Sequence, residues 1–571
     1  MPALAECSLG FRSAYLDHDQ LTAQLRAWAQ AFPELVRVTS LARTPEGRDV
    51  WLATIGPEPE RLRPAVWVGA NQHAAELAGS SVALAIAEDA LRVHLEPGAL
   101  ELPPALLARL REVVFFVAPR LSPDGAEAVL RTGRSVRSAP RDARVERGQP
   151  RWILGDVDGD GQARTIRVRD PGGELVETAA FPGLLVERTL ADAGPFYKLY
   201  PEGLIEHFDG RRIPSPHYLG DNPIDLNRNF PWSWAPGHDQ PGAGPYPTSE
   251  PEARGVVEHA TAHPEIFAWL DLHTFGGVAI RPLGHGPDSK MHPEDLAIYR
   301  QLEAWMTEHT GYPTVSGYDE FLYEPDKPIR GDLSDYAYQQ RGALAYVVEL
   351  WDLFRRLGMA RPKKFVDYYA EVTRDDLIKL AWWDHDENAR RVFPPWRPFR
   401  LPQLGDVELG GVDPRIGIWN PPPHLLPELC AAQAHVFLHV AALAPRLVIG
   451  EIRRTRLPGE LTRVEVQIYN EGYLGSYGIP SAQALDFNEP VYASARTTGC
   501  ELVDPGAAHQ ILGHLDGWGH GLHTGANLPA YPGTRGTTHA AWAIYLVRGA
   551  GALDVRAGSC RAGFVSAHVA V

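Results

Sequence analysis

Cysteine is scarce in this chain, with four residues among 571, and the four lie far apart. None belongs to a Cys-x-x-Cys pair, which argues against a zinc site built from cysteines and against a disulfide framework. A chain of this length can bury an adequate core without disulfides. The first residues also lack the basic stretch followed by an apolar stretch that is typical of a secretory signal. We therefore expect reduced thiols and a cytoplasmic protein.

Long apolar runs and clusters of basic residues are also missing. No window approaches the ~18 consecutive apolar residues that a membrane-spanning helix needs. The formal net charge is −16, and a negative surface repels phosphate groups. We therefore expect neither a membrane nor a nucleic acid as partner. The apolar fraction of 44% and the aromatic fraction of 9% argue against disorder and favour a sizeable core.

Short apolar runs alternate with helical patterns through the first two thirds of the chain. Residues 65–71, 111–119, 266–272 and 343–350 read as buried strands, and an Ala-rich helical pattern covers 76–95. Alternation of this kind predicts an α/β fold with a mixed, mainly parallel central sheet flanked by helices.

Two changes in composition divide the chain further. Residues from about 135 to 220 are polar and rich in Gly and Pro, which predicts an elaborated insertion. Four prolines then follow Phe393 within a short stretch, which predicts a connection between domains. We expect one domain over 1–395, with that insertion, and a β-rich accessory domain over 396–571, formed as a β-sandwich.

A histidine and a glutamate follow the first buried strand at the spacing of a metal-binding pair. His73 and Glu76 are three residues apart, so one turn can present an imidazole and a carboxylate to the same ion. A lone His-x-x-Glu is unspecific, and by itself it is more often a surface His beside a Glu at a helix start. His273 strengthens the case because it ends an apolar strand, at the edge where functional groups collect in α/β sheets. Two His and one Glu, with a water, form a common catalytic zinc set.

Two further motifs contain charged side chains that suit a functional role. Residues 225–230 read Asp-Leu-Asn-Arg-Asn-Phe, and an Arg beside an Asn amide suits a carboxylate ligand. Glu349 ends a strand that is otherwise apolar, where a carboxylate is costly unless it has a partner or a task.

Taken in order, these motifs resemble those of the zinc carboxypeptidase family, the M14-type metallocarboxypeptidases that include the pancreatic carboxypeptidases. The resemblance spans residues 15–385 and rests on HAAE (73–76), SPDG (122–125), DLNRNF (225–230), LDLH (270–273) and VVEL (347–350). It implies the zinc carboxypeptidase fold, in a bacterial-type member with an insertion and a C-terminal β domain. It also implies hydrolysis of the C-terminal peptide bond of a peptide or peptide-like substrate with a free C-terminal carboxylate.

The resemblance assigns a role to each metal-site residue. His73, Glu76 and His273 would bind Zn²⁺, and Asp225 would orient His73. Glu349 would act as the general base that takes a proton from the zinc-activated water and passes it to the leaving amine.

It also assigns the groups that bind substrate. Asn227 and Arg228 would hold the terminal carboxylate, which restricts cleavage to the chain end. An Arg at a set distance after the Pro-Asp-Gly turn would stabilise the oxyanion; that distance indicates Arg137, with Arg134 and Arg131 as the next choices.

The sequence departs from the family in the substrate pocket. The position of the family's mobile tyrosine corresponds to Lys327, although Tyr323 and Tyr318 are near enough to replace it. The position that reads the departing side chain corresponds to Ser334. Because Ser334 is neither acidic nor apolar, and Lys327 and Arg281 are near, we expect a preference for acidic or small polar C-terminal residues.

The predicted insertion contains a compact acidic motif, DVDGDG at residues 156–161. Asp156, Asp158 and Asp160 on a Gly-supported loop suit a hard cation such as Ca²⁺. The motif is not a complete EF-hand, since its twelfth position is Arg167 rather than Glu. A solvated acidic turn is the alternative.

Two other functions stay open at this point. A zinc amidase or deacylase acting on a non-standard amide, such as a cell-wall peptide or an N-acyl amino acid, would use the same metal chemistry. A non-catalytic protein that binds C-terminal tails is less favoured, because inactive relatives typically lose a ligand or the catalytic Glu, and all four residues are here. The sequence leaves the oligomeric state open.

Overall fold

The computed structural model describes residues 3–134, 136–142, 148–216, 224–324, 326–522 and 535–571. None of its helices over these residues combines the length and the apolar character needed to cross a membrane. The α-helices are α1 (His18–Ala31), α2 (Ala78–Leu95), α3 (Pro104–Leu110), α4 (Pro123–Thr132), α5 (Pro251–Ala262), α6 (Pro293–Thr310), α7 (Leu333–Asp335), α8 (Leu353–Arg356), α9 (Asp367–Ala370), α10 (Arg374–Glu387), α11 (Leu426–Ala441) and α12 (Trp518–Gly521).

The strands of the described chain form five sheets. They are β1 (Val36–Arg43), β2 (Asp49–Ile55), β3 (Ala65–Ala70), β4 (Val114–Ala118), β5 (Arg151–Leu154), β6 (Thr165–Arg169), β7 (Leu175–Glu177), β8 (Leu185–Glu187), β9 (Phe196–Pro201), β10 (Gly203–Glu206), β11 (Ile266–Thr274), β12 (Val278–Arg281), β13 (Thr314–Ser316), β14 (Leu344–Leu350), β15 (Arg397–Leu401), β16 (Gly405–Gly410), β17 (Leu447–Leu457), β18 (Leu461–Asn470), β19 (Val491–Thr498), β20 (Glu501–Leu502), β21 (His509–Gly513), β22 (Ala540–Arg548), β23 (Ala552–Ser559) and β24 (Gly563–Ala570).

The largest sheet has eight strands in the order β1-β2-β4-β3-β11-β14-β12-β13. Its centre, from β4 to β14, is parallel throughout, while β1, β2 and β12 join antiparallel neighbours. Every residue of β3, β4 and β11 is buried. Parallel strands covered on both faces need such uninterrupted apolar runs. The prediction of a mixed, mainly parallel sheet flanked by helices is confirmed.

Helix α2 is almost entirely buried because it is packed on two sides. It lies against the large sheet, and α11 packs against its other side. The apolar residues of α11 belong to the same core as those of the sheet. The chain after residue 396 therefore contributes to the main core before it forms a separate body.

The predicted insertion folds as part of a second sheet, in the order β15-β16-β6-β9-β7-β8. Strand β16 pairs antiparallel with β6, and the Thr165 hydroxyl donates to the carbonyl oxygen of Gly410 at 2.6 Å. Strands before and after the expected boundary at 395/396 thus share one sheet. The structure differs here from the expected division, since local composition could show a Pro-rich stretch but not which strand it pairs with.

The last part of the chain forms two four-stranded antiparallel sheets, β17-β18-β22-β20 and β21-β19-β23-β24. Both sheets contribute to one apolar core, which contains Val464, Val466, Val491, Tyr545 and Val555. The predicted C-terminal β-sandwich is confirmed, and it begins at β17.

Candidate active site

The carboxyl ends of β3, β11 and β14 meet at one edge of the large sheet. His273 of β11 lies directly beside Glu349 of β14 in the parallel register. Leu272 of β11 lies beside Ala70, the last residue of β3. The loop that leaves β3 therefore starts next to His273, and it carries His73 and Glu76.

This loop has an irregular turn that Asn71 stabilises. Asn71 has φ of 56°, a left-handed conformation that Asn tolerates better than most residues. Its side-chain amide donates to the carbonyl oxygens of His73, Ala74 and Glu76 at 2.8, 3.3 and 3.1 Å. Helix α2 begins only at Ala78. His73 and Glu76 thus lie on the loop before the helix rather than on its first turn.

The three predicted zinc ligands converge and are buried. The Nδ1 atoms of His73 and His273 are 3.0 Å apart, and each is within 2.9 Å of an oxygen of Glu76. A single proton can form a hydrogen bond between only two of these atoms, whereas a metal ion can be bound by all of them at once. Tetrahedral Zn–N bonds of about 2.1 Å place two nitrogens roughly 3.4 Å apart, so small movements of the rings from this spacing would accommodate the ion. The donor set therefore fits Zn²⁺.

Two carboxylates set the tautomers of the histidine ligands. The Nε2 atom of His73 is 3.1 Å from Asp225, and that of His273 is 3.0 Å from Asp271. Carboxylates on the outer ring nitrogens leave the Nδ1 lone pairs for a metal. The contact between Asp225 and Nε2 of His73 is the one that the predicted orienting role requires. The sequence analysis missed Asp271, although alternation along β11 places it on the same face as His273.

Charge in this cluster is strongly coupled. Burial alone would raise the pKa of Glu76, but the two histidines lower it to about 2. Burial would lower the pKa of His273, yet Asp271 and Glu76 hold it well above its usual value. The pKa of Glu76 falls and that of His273 rises because each stabilises the charge of the other. The carboxylates around the two histidines therefore favour positive charge at this place, as a metal ion would supply.

Glu349 and Arg137 border the cavity that opens beside the ligands. Burial and then repulsion from Glu76 raise the pKa of Glu349 to about 8. Arg137 donates through Nε to Asp225 at 2.9 Å, and its backbone carbonyl accepts from Ala74 at 2.8 Å. Arg131 instead pairs with Glu127, away from the cavity. Of the three arginines considered, Arg137 lines this cavity and Arg131 and Arg134 do not.

The cavity has a volume of about 430 Å³ and brings together most of the predicted substrate-binding residues. Asn227 accepts from the backbone N–H of Leu333 at 2.8 Å through its side-chain oxygen, so its donor end is the one that suits a carboxylate. Arg228 lies in the cavity wall beside it and donates to the backbone carbonyl of Asn227 at 2.6 Å. These are the two groups expected to bind the terminal carboxylate.

The positive charges expected in the pocket are already paired with carboxylates of the protein. Lys327 is exposed at the rim and pairs with Glu324 at 2.6 Å. Arg281 pairs with Asp288 and Glu303. An acidic substrate side chain would compete with these carboxylates, which weakens the expectation of an acidic preference.

A carboxylate that the sequence analysis missed lines the same pocket. Ser334 is buried and donates to Oδ1 of Asp332 at 2.7 Å. Oδ2 of Asp332 is buried and has no hydrogen-bond partner among the described residues. Burial and the neighbouring Asp335 raise the pKa of Asp332 to about 7. An unsatisfied buried oxygen in a substrate cavity favours a donor on the substrate.

The acidic loop of the insertion lies elsewhere, and arginines compensate it. Asp156 accepts from the N–H groups of Gly159 and Gly161, both at 2.7 Å. Arg397 pairs with Asp158 and Asp160 at 2.7 and 2.8 Å. Asp156 and Asp158 also lie near Glu202, close enough for one ion to reach all three. Because Glu202 already accepts two backbone N–H groups, Ca²⁺ binding gains no support from this arrangement and stays a prediction.

Fold and site together define an α/β protein with a His-Glu-His zinc-type ligand set at the carboxyl edge of its central sheet. The family model for zinc carboxypeptidases, Peptidase M14, matches residues 21–158 and 213–375, more than half of the chain. The chain therefore belongs to the zinc carboxypeptidase family. The unmatched residues between these segments fall inside the predicted insertion. A second model, for a domain of unknown function (DUF8731), matches residues 446–570, which coincide with the β-sandwich.

Individual relatives are distant. Mouse carboxypeptidase A4 is 22% identical over 345 residues, which cover 59% of this chain and 63% of that protein. The chain thus matches less than two thirds of this relative's length. Among solved structures, carboxypeptidase A of Helicoverpa armigera is 18% identical with a TM-score of 0.39, covering 61% of this chain and 68% of that one. A metallo-carboxypeptidase of Burkholderia cenocepacia is 15% identical with a TM-score of 0.34, covering 73% and 68%.

Proposed function

We propose that this protein is a zinc-dependent metallocarboxypeptidase that hydrolyses the C-terminal peptide bond of a peptide or peptide-like substrate. The observation that carries the proposal is the convergence of His73, Glu76 and His273 beside Glu349 at the edge of one cavity. A carboxylate-binding pair lines that same cavity. Membership of the family supports zinc as the metal.

The proposed chemistry divides between the metal and the chain. Zinc, when bound, supplies Lewis acidity to the scissile carbonyl and to the attacking water. Glu349 takes the proton from this water and delivers it to the leaving amine. Burial and repulsion from Glu76 raise the pKa of Glu349, which favours its protonated form once it has taken the proton.

Arg137 stabilises the negative charge that develops on the carbonyl oxygen. Burial would lower its pKa, but Asp225 and Glu76 raise it, so the guanidinium is charged throughout the cycle. The bond to Asp225 also limits its rotation, because Asp225 is held at the same time by His73.

Tyr323 is our candidate for the role of the family's mobile tyrosine. It is exposed at the cavity mouth, whereas Lys327, at the expected position, is paired with Glu324. Tyr323 and Glu349 line the same cavity, and desolvation and the Glu349 carboxylate raise the pKa of the phenol. Closure of this side chain over a bound substrate would exclude water from the cavity.

For the departing side chain we propose a basic residue, in place of the acidic or small polar preference expected from the sequence. The stem of a Lys or Arg side chain suits the apolar wall formed by Ile280, Ile329 and Val347. Its charged end suits the unpaired oxygen of Asp332. Peptides ending in Lys, Glu and Phe separate the possibilities, and Asp332→Asn should reduce turnover of the Lys peptide most.

The proposal is tested by turnover of a panel of C-terminally varied peptides, with Glu349→Gln as the matched variant. We expect release of the last residue, a loss of about a hundred- to ten-thousandfold in kcat for Glu349→Gln, and unchanged zinc content. Turnover confined to D-configured or N-acylated amides would replace the peptidase with the amidase alternative. Tight binding of peptide tails without turnover would indicate a non-catalytic binder.

We also propose that the partner is a peptide-like substrate with a free carboxylate and that the protein is located in the cytoplasm.

A further inference from the structure

Three histidines cluster between α6 and α11, apart from the active site. His309 lies in the last turn of α6, while His435 and His439 lie one turn apart on α11. The ring centroid of His309 is 5.0 Å from each of the other two, which are 4.6 Å from each other. One ring nitrogen from each histidine lies within 4.8 Å of the others.

The neighbours of these rings leave a nitrogen lone pair available for a metal ion. Among the described residues, no carboxylate forms an ion pair with any of the three. Nδ1 of His439 is 2.9 Å from the backbone carbonyl oxygen of His435. A carbonyl oxygen can only accept, so the proton of a neutral His439 sits on Nδ1, and the lone pair on Nε2 is free for a ligand. Metal-binding histidines are commonly oriented in this way.

The local field also favours a cation. His309 and His439 occupy the last turns of their helices, where unpaired carbonyl groups carry partial negative charge. All three histidines are partly exposed, so a metal ion and water can reach them.

We propose that His309, His435 and His439 form a second metal site that binds a divalent transition metal, with zinc as the ion we expect, separate from the catalytic centre. Three imidazoles and one water make a tetrahedral set that zinc accepts readily. Because zinc–nitrogen bonds of about 2.1 Å require nitrogens roughly 3.4 Å apart, small ring rotations close the site.

The consequence is a link between two segments that are distant in sequence. Helix α11 packs against α2, which follows the loop of catalytic ligands, and also against α6. A metal held by α6 and α11 stabilises this packing by mass action. None of the three histidines lines the substrate cavity, so we expect peptide hydrolysis not to depend on them.

The test is the zinc content of the full chain after dialysis against micromolar free zinc. We expect two zinc ions per wild-type chain and one in the double variant His435→Asn, His439→Asn. His424→Asn, an exposed histidine just before α11, is the matched control and should keep two. His73→Asn with His273→Asn should keep one zinc, which assigns the two ions to separate sites.

A second readout uses Co²⁺ in place of zinc. The visible spectrum of the protein without its catalytic histidines should still show tetrahedral cobalt bands, and His309→Gln should remove them. Peptidase activity of the His435→Asn, His439→Asn protein should equal that of the wild type, which reports correct folding. A single zinc in the wild type, or two in the α11 double variant, would overturn the proposal. His309→Gln repeats the zinc measurement from the other helix, so the result does not depend on one variant.

Discussion

Asp225 joins two functions in one carboxylate. Oδ1 lies against His73, and Oδ2 accepts from Arg137. Burial would raise the pKa of Asp225, but Arg137 and His73 keep it well below its usual range. The position of the Arg137 guanidinium is therefore tied to the orientation of the His73 ring.

Asp225→Asn should weaken zinc binding by about ten- to a hundredfold, because loss of the charge weakens the hold on the His73 tautomer. It should also lower kcat, since Arg137 loses its ion pair. A zinc competition titration and steady-state kinetics measure the two effects. Asp239→Asn, at the exposed rim of the cavity, is the control and should change neither. Unchanged zinc affinity in Asp225→Asn would remove the orienting role.

Arg228→Gln should raise KM for peptides with a free carboxylate and leave C-terminally amidated peptides unaffected. The reason is the loss of a charge-assisted hydrogen bond, which contributes roughly 1.5–3 kcal/mol and corresponds to about a ten- to a hundredfold effect. Paired kinetics on the free and amidated forms of one peptide give the answer. Equal losses for both forms would show that Arg228 acts elsewhere.

For individual residues, the side-chain types of the candidate site could be predicted from the sequence, but some of their contacts could not. His73, Glu76, His273 and Glu349 follow from ordered motifs, because metal and proton chemistry demand particular side chains. The sequence analysis did not predict Asp332. Its interest comes from a buried carboxylate oxygen that has no hydrogen-bond partner among the described residues, and a local sequence pattern cannot show this.

Among the helices, α10 shows how one buried side chain directs the chain beyond it. Asp384 is fully buried and accepts from the N–H groups of Val392 and Phe393 at 3.0 and 2.9 Å. It also accepts from the side-chain amide of Asn388 at 2.8 Å. This carboxylate holds the turn that leads to β15, which pairs within the sheet of the insertion.

Asp384→Ala should lower the free energy of unfolding by about 2–4 kcal/mol, because it leaves two buried backbone N–H groups without an acceptor. Asp384→Asn retains an acceptor oxygen and should cost less. Chemical denaturation of both variants measures the difference. Equal stability of Asp384→Ala and the wild type would show that the turn is held by other contacts.

Elements of the large sheet were easier to predict than those of the insertion. Strand β3 and the first five residues of β11 are apolar, which predicts buried parallel strands from sequence alone. The strands of the insertion are short, and one of them, β6, pairs with β16, more than two hundred positions away. Local periodicity carries no information about such a partner.

On the scale of the whole molecule, Arg561 connects the β-sandwich to the catalytic part. It is 1% exposed and donates to the carbonyl oxygens of Ile266, Gly342 and Arg341 at 3.1, 2.9 and 2.7 Å. Burial lowers its pKa to about 10. The sandwich is thereby joined to the start of β11, the strand that carries His273 near its other end.

Arg561→Met should lower the free energy of unfolding by about 3 kcal/mol, since three buried carbonyl groups lose their donor. Arg561→Lys restores the charge but not the geometry of the guanidinium, and should recover part of the loss. Calorimetry measures both variants. A stable Arg561→Met protein would show that apolar contacts alone hold the two parts together.

Removal of zinc from the catalytic centre should lower Tm. A ligand that binds only the folded state stabilises it by about 4 kcal/mol at a thousandfold excess over Kd. Calorimetry with and without a chelator measures the shift, in the His435→Asn, His439→Asn background so that only the catalytic centre responds. An unchanged Tm would mean that the catalytic ligands do not bind zinc tightly.

The order of short motifs along the chain was enough to predict the central sheet and to propose zinc ligands and a general base, because side-chain chemistry and strand periodicity are local properties. The choice of Arg137, the partners of Lys327 and Arg281, the joining of the insertion to β16 and the meeting of α6 with α11 depend on the packing of distant segments. Such contacts are set by the complete fold, since the energy of burying one surface depends on which other surface covers it.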